Sequence, residues 1–217
     1  MKIIKPSFEI EDAIDEISGF EMLKKIERAG RVCYKSEDRI TDDSVYNFIK
    51  GLIKSGHESV LEHEKITVTI ICDRAIANEI VRHRIGSYSQ ESTRYCNYAK
   101  DKFGKEITVI EPCFFSESSQ ERWIWRQAMI YAETMYFSLL DKGATPEQAR
   151  CVLPMSLKTE IAVTFNLREW RHFFKLRTDK AAHPQMREIT VPMLTRFKQL
   201  VPIVFEGINV KPLPAQD

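Results

Sequence analysis

Glycine is scarce, eight in 217 residues, and none of them forms a G-x-G-x-x-G fingerprint. Any dinucleotide bound by this chain would therefore need a site unlike a Rossmann crevice. Cysteine is also sparse: Cys33, Cys72, Cys96, Cys113 and Cys151 are odd in number, widely spaced and without a C-x-x-C pair. That pattern excludes a disulfide framework and a zinc ribbon, and predicts reduced thiols. His57, His63 and His83 lack paired ligand spacing, so no metal is expected. Long apolar runs are missing too. The longest, such as Ile66 to Cys72, fall far short of the roughly 20 residues of a bilayer-spanning helix, and Met1 to Lys5 carries no secretory core. The expectation is a cytoplasmic protein with no membrane partner. Excess charge of one sign is absent: 32 Lys and Arg against 31 Asp and Glu leave a net charge of +1, which argues against a nucleic-acid coat. With 43% hydrophobic residues and no repeat or low-complexity linker, residues 1–217 are expected to form one domain.

The apolar patterning predicts a helix over Glu11 to Ala29 and a second over Ser44 to Lys54, capped by Thr41-Asp42-Asp43 and closed by Gly56. His57 then begins a loop. Alternation of Ile66, Val68 and Ile70 with Thr67 and Thr69 predicts a half-buried strand over Glu64 to Cys72, with Asp73 capping a helix from Arg74 to Arg84. Gly86 ends that helix and sends the hydroxyl-rich segment after it into a loop. A long helix is predicted over Ser116 to Lys142 with Trp123, Ile130, Thr134 and Phe137 near one face. Thr145-Pro146 starts a short helix ending near Arg150, Thr159 to Phe165 alternates as a second strand, and Asn166 caps a helix over Leu167 to Leu176. A last helix runs from Gln185 to Leu200, interrupted by Pro192.

The chemistry concentrates between Arg82 and Tyr95. Arg82, His83, Arg84 and Arg94 place three guanidiniums and an imidazole among Ser87, Tyr88, Ser89, Gln90, Ser92 and Thr93. Consecutive helical side chains point about 100° apart, so the three residues of the Arg-His-Arg triplet cannot all face one apolar partner. A phosphate would satisfy such cations, because guanidinium grips it through two parallel hydrogen bonds. The residues alone also admit a solvated basic loop, or a single-strand nucleic-acid groove with Tyr88 and Tyr95 stacking on bases.

Arg82-His83-Arg84, seven residues, then Ser92 and Arg94, resembles the signature of the flavin-dependent thymidylate synthases. His57-Glu58-Ser59 with Glu62-His63, Ala149-Arg150 with Leu153-Pro154, Asn166-Leu167-Arg168 and Leu176-Arg177 follow in that family's order and approximate spacing, spanning about residues 28 to 190. The resemblance implies an α/β protein of α+β type, with a mixed or antiparallel sheet flanked by helices, assembled as a homotetramer whose active sites are shared between subunits. It implies reductive methylation of dUMP to dTMP, with 5,10-methylenetetrahydrofolate as one-carbon donor and FAD, re-reduced by NADPH, as hydride source. No cysteine nucleophile and no nucleic-acid partner are implied.

The residues carried over for dUMP are Glu79, Ile80, Val81, Arg82, Gln90, Glu91, Ser92, Thr93, Arg94, Arg150 and Arg177. Those for FAD are Ser59, Arg82, His83, Arg84, Gln90, Asn166, Leu167, Arg168 and His172, with His57 and Glu62. Arg177 is assigned to catalysis, as a cation beside the pyrimidine that stabilises charge developing on the ring; from sequence alone it equally suits a helix C-terminus, where it would complement the dipole. His57 and His172 read equally well as packed, hydrogen-bonded side chains. Ser89 and Gln90 stand where the family often has Asn and Glu, Glu79 where Gln is frequent and His172 where Asn is frequent. Pro112-Cys113 is similar to the nucleophile dipeptide of the classical, flavin-independent synthases, but no other motif of theirs is present. It and Cys33 are expected to be non-catalytic.

Overall fold

Two nine-residue strands form the axis of the protein, whose computed structural model describes residues 1–11 and 15–210. They are β3 (Lys65–Asp73) and β6 (Lys158–Asn166), paired antiparallel from Lys65 opposite Asn166 to Asp73 opposite Lys158. Strand periodicity sends alternate side chains to opposite faces. Ile66, Val68, Ile70 and Cys72 with Ile161, Val163 and Phe165 are buried on one face. Thr67 and Thr164 lie opposite one another on the other, their hydroxyls 2.8 Å apart. β2 (Ser7–Ile10) and β4 (Ser87–Gln90) add antiparallel edges, giving the order β2-β3-β6-β4. β1 (Lys2–Ile4) and β5 (Thr108–Ile110) form a separate parallel pair. The expected α+β architecture with an antiparallel sheet is thus observed.

The apolar sheet face is covered by α1 (Glu16–Val32), α2 (Ser44–Lys54), α3 (Arg74–Ile80), α6 (Leu167–Arg177), α7 (Pro184–Leu200) and the short α8 (Pro202–Phe205). Its centre is a run of touching rings. Phe205 meets Phe197 at 5.2 Å, Phe197 meets Trp170 at 5.0 Å, and Trp170 meets Phe165 at 4.7 Å between centroids. The Trp170 indole N–H donates to the Ile66 carbonyl at 3.0 Å, so its one polar atom is satisfied in the core. A second apolar cluster joins β5 to α4 (Gln120–Asp141) and α5 (Pro146–Ala149) through Val109, Met129, Tyr136, Ala149 and Leu157.

Several boundaries differ from the sequence expectation, each for a local reason. Residues 12–14 of the first expected helix lie outside the described residues; α1 is described from Glu16 and opens on a reciprocal cap between Asp15 and Ser18. α2 has the expected ends, but its N-cap is Asp43 without a side-chain bond. Thr41 instead donates its N–H to the Ser44 hydroxyl, which itself reaches the buried Glu27 carboxylate at 2.8 Å. Residues Glu58–His63, expected as loop, wind into a 3-10 turn. α4 begins at Gln120, where Ser119 accepts from the Arg122 N–H. The face α4 buries is set by Met129 and Tyr136, offset from the expected stripe, and Trp123, Ile130 and Thr134 are exposed. α7 runs unbroken through Pro192, held by buried Ile189, Thr190, Met193 and Leu194 on either side.

The largest correction concerns α3, which stops at Ile80 and not at Arg84. Arg82 and His83 close tighter turns onto the carbonyls of Glu79 and Ile80 at 3.3 and 3.1 Å. The Tyr88 hydroxyl donates to the carbonyls of Ile80 (3.2 Å) and His83, taking up acceptors that a continuing helix would have used. The Arg-His-Arg triplet therefore lies beyond the helix, and the hydroxyl-rich segment after it is strand β4, not loop. Gly86 permits that strand to lie down: a Cβ there would sit 2.2 Å from the Phe165 ring.

Candidate active site

Leaving the helix inverts the roles within the triplet. His83 turns inward and is buried, while Arg82 and Arg84 on either side are exposed and, among the described residues, form no ion pair. His83 lies along one face of α6, where Glu169, Phe173 and Arg177 recur at i, i+4 and i+8. Its Nδ1 is 2.8 Å from Glu169 Oε1, its ring meets the edge of Phe173 at 4.9 Å, and its Nε2 accepts from Arg177 Nε at 3.1 Å. Burial pushes the imidazole pKa below its ordinary value; the Glu169 hydrogen bond pulls the other way and the Arg177 charge adds to the depression.

Arg177 is held from a second side. Its terminal nitrogens donate to Glu79 Oε2 at 2.8 Å and to the Glu79 carbonyl at 3.1 Å, and its own carbonyl accepts from the Thr190 hydroxyl at 2.8 Å. A guanidinium has five N–H groups, so three bonds leave two free to meet a ligand. Asn166 caps α6 by accepting from the Glu169 N–H at 2.8 Å, which leaves its amide N–H groups available.

Asn166 and Glu169 also line an open cleft of about 440 Å³, with Glu58, Glu62, Ile85, Arg168, His172 and Lys175. Arg168 pairs with Glu62 at 2.5 Å on the surface, and the buried Arg171 holds Glu58 at 3.0 Å. Burial alone would raise the Glu58 carboxyl, but Arg171, Lys175 and Arg168 keep it below the usual carboxylate range. His83, Glu169 and His172 place one ligand atom each within 4.8 Å of one another. Both nitrogens of His83 are already engaged, one of them by a guanidinium, so the group is better described as a hydrogen-bonded relay than as a metal cage.

The remaining sequence candidates collect elsewhere. Gln90 donates to the Thr159 hydroxyl at 3.2 Å, and Glu91 takes a hydrogen bond from Tyr98 (2.9 Å) and an ion pair with Lys158 (2.8 Å). Ser92 Oγ accepts from the Arg94 N–H, Thr93 is buried, and Arg94 pairs with Glu147 at 3.2 Å. Arg150 ends α5, exposed. Ser89, Gln90, Glu91, Phe103 and Lys158 line a second cleft of about 400 Å³. Arg84 and Arg94 thus flank opposite ends of β4, and no hydrogen bond or ion pair among the described residues joins the two groups. Ile80 and Leu167 are buried in the core and could meet a ligand only through their backbone, Val81 is half-buried at the C-cap of α3, and Ser59 and His57 are exposed at the 3-10 turn.

Sequence reasoning missed Glu169, Arg171, Lys175 and Lys158. An acid three residues after Asn166 reads as first-turn dipole complement, and only the fold shows that it meets an imidazole 86 residues away.

The cleft wall carries Glu58, Glu62 and Glu169 as well as Arg168 and Lys175. Arg82, Arg84 and the Asn166 amide have unspent N–H groups, and Ile85, 68% exposed, offers an apolar surface.

Residues 18–203 match the family model described as thymidylate synthase complementing protein. A flavin-dependent thymidylate synthase of Geobacter sulfurreducens is 36% identical over 184 residues, 82% of this chain and 78% of that protein. One from Corynebacterium aurimucosum is 31% identical over 206 residues, 87% of this chain and 80% of that protein. A solved structure of a UMP/dUMP methylase, PolB from Streptomyces cacaoi bound with 5-Br dUMP, is similar at a TM-score of 0.77 and 25% identity, covering 95% of this chain and 96% of that one.

Proposed function

The chain belongs to the thymidylate synthase complementing protein family, and on that premise we propose that it is a flavin-dependent thymidylate synthase converting dUMP to dTMP. The observation that carries the reading is Arg177, fixed by His83 and Glu79 with two N–H groups unspent. For uracil to attack a one-carbon unit, charge must build on the ring as C5 becomes nucleophilic. A preoriented guanidinium stabilises that charge without reorganising. Arg94 and Arg150, with Ser92, would take the nucleotide phosphate, and Arg82 would face both nucleotide and cofactor.

Arg84, Arg168, Asn166 and His172, with Ser59, Glu62 and His57 at the neighbouring turn, would hold FAD. When bound, the flavin supplies the hydride, drawn from NADPH, that reduces the methylene carbon delivered by 5,10-methylenetetrahydrofolate. The methylene leaves folate and joins C5 of dUMP, whose C5 proton is lost to solvent; counted together, the two substrates gain only one hydride, by way of the flavin, and one net proton from solvent. No thiol is needed. Cys113 is half-buried, and burial together with the Glu188 carboxylate pushes its pKa up to about 12, so it is a poor nucleophile.

The separation of the Arg94 and Arg177 groups supports an oligomer, a homotetramer by our reading, in which a second copy brings one group to the other. No described helix is long and apolar enough to cross a membrane, and the five cysteines are free, which suits a cytoplasmic enzyme. The test is direct. The purified protein should show flavin absorption and should release tritium from 5-tritiated dUMP when given methylenetetrahydrofolate and NADPH. A protein that stays colourless after FAD loading and releases none would refute the assignment.

A further inference from the structure

We infer that Glu169 is a positioning residue that fixes His83 as its Nδ1–H tautomer and, through that imidazole, aims Arg177. The inference rests on the reading of Arg177 above, and follows from counting donors. Arg177 Nε carries a hydrogen and can only donate, so His83 Nε2, 3.1 Å away, must be the bare, accepting nitrogen. The proton of a neutral ring then sits on Nδ1, where Glu169 Oε1 accepts it at 2.8 Å. The opposite tautomer would set N–H against N–H at Arg177 and lone pair against carboxylate at Glu169. An imidazolium would satisfy Glu169 but turn a second cation and an N–H toward Arg177.

The groups facing His83 are Glu169, His172 and Arg177 from α6, Glu79 from α3 through Arg177, and the Tyr88 hydroxyl on its carbonyl from β4. Of these, Glu169 alone accepts from the ring. It is buried with His83, and Asn166 pins its backbone N–H, so the carboxylate approaches from a fixed direction. The result is a four-member chain, Glu169 to His83 to Arg177 to Glu79, anchored at each end by a carboxylate. It fixes the guanidinium from two sides, directly by Glu79 and through the imidazole by Glu169. This places a residue of the cleft wall that sequence reasoning did not single out in control of the catalytic cation, as outer-shell carboxylates orient metal-bound imidazoles.

The chain makes protonation of His83 an off-switch, because an imidazolium releases Arg177. Glu169→Leu should keep bound flavin but lower kcat about 10- to 100-fold, the range seen when an outer-shell partner is lost, with little change in KM for dUMP. Glu169→Gln keeps an acceptor for Nδ1–H while removing the charge that favours imidazolium. Its plateau kcat should stay near wild type while the acid limb of the kcat profile moves to lower pH. A bystander role in packing would leave that limb in place. An arm independent of turnover is the solid-state 15N spectrum of histidine-labelled protein, with His83 assigned by difference against His83→Asn. Nε2 should be the unprotonated nitrogen in the wild type, and the preference should weaken in Glu169→Leu. A wild type protonated on Nε2, or a limb unmoved in Glu169→Gln, overturns the inference even if the enzyme methylates dUMP. A wild type with the expected tautomer but no turnover overturns the functional assignment and leaves the tautomer control standing.

Discussion

Replacing Gly86 with alanine should damage stability and turnover together, and its size follows from distances. A Cβ at this position would lie 2.2 and 2.3 Å from Phe165 Cε1 and Cδ1, and 3.2 Å from the Thr164 carbonyl oxygen. Ordinary contact between such carbons is about 3.5–4.0 Å, so the ring or the strand must move by more than 1 Å. Phe165 cannot yield alone, since its ring is 4.7 Å from Trp170, 5.8 Å from Phe173 and 6.1 Å from His83. Overpacking of this kind costs about 1–3 kcal/mol. For a domain of this length each kcal/mol lowers Tm by about 2–4 °C, so the loss should be about 2–12 °C at fixed protein concentration. Any shift of Phe165 also displaces His83, so kcat should fall in the same variant. Gly51→Ala is the matched control: it lies in α2 with nothing within 4 Å of the added carbon. Helix propensity alone predicts stabilisation by about 0.8–1 kcal/mol there. Denaturant melts and steady-state kinetics decide the matter. A Gly86→Ala protein as stable and as active as wild type would show that β4 does not rest on Phe165 as described.

Arg177→Ala should lower kcat about 10²- to 10³-fold, the cost of removing one preoriented charge-stabilising donor, while flavin absorption is largely retained; wild-type turnover would remove Arg177 from its role. Arg94 pairs with Glu147 at an exposed site, so Arg94→Ala should leave stability within about 0.5 kcal/mol but weaken dUMP binding. Loss of a charged hydrogen bond, about 1.5–3 kcal/mol, corresponds to a Kd raised about 10- to 150-fold by calorimetric titration, and unchanged affinity would contradict the phosphate assignment. Cys113→Ala should turn over normally in the tritium-release assay, and loss of all product would reopen a thiol mechanism. Acid should also destabilise the fold through His83. Because its folded pKa lies below the unfolded value, the stability it contributes is complete above about pH 6.5 and is lost as pH falls through the folded value. Denaturant midpoints between pH 7 and 5 should decline less in His83→Asn than in wild type, and parallel slopes would count against it.

How far the sequence reaches depends on whether a residue's partner is near in the chain. α2 begins and ends where its apolar period says, and β3 and β6 alternate as expected because their threonines and aliphatics sort by face without help from elsewhere. The end of α3 was beyond reach, since it is decided by the Tyr88 hydroxyl and by Gly86 lying on a ring 79 positions away. The buried face of α4 was misjudged because its long stripe of aromatics offers two adjacent faces, and only the docking of Met129 and Tyr136 selects one. At the site, Arg177 and His83 could be named from a motif, whereas Glu169 could not. Its position three residues past a cap accounts for an acid completely, and nothing local announces its imidazole.

The rings that run from Phe205 through Phe197 and Trp170 to Phe165 and Phe173 end against His83. Because they touch in series, the imidazole's surroundings have no loose joint at which to open apart from the core. Amide exchange around His83 should accordingly follow the slow, global route and not a fast local one. Temperature-sensitive alleles are then to be sought at Phe197 and Phe205, where a softened stack would first be felt as a wandering imidazole.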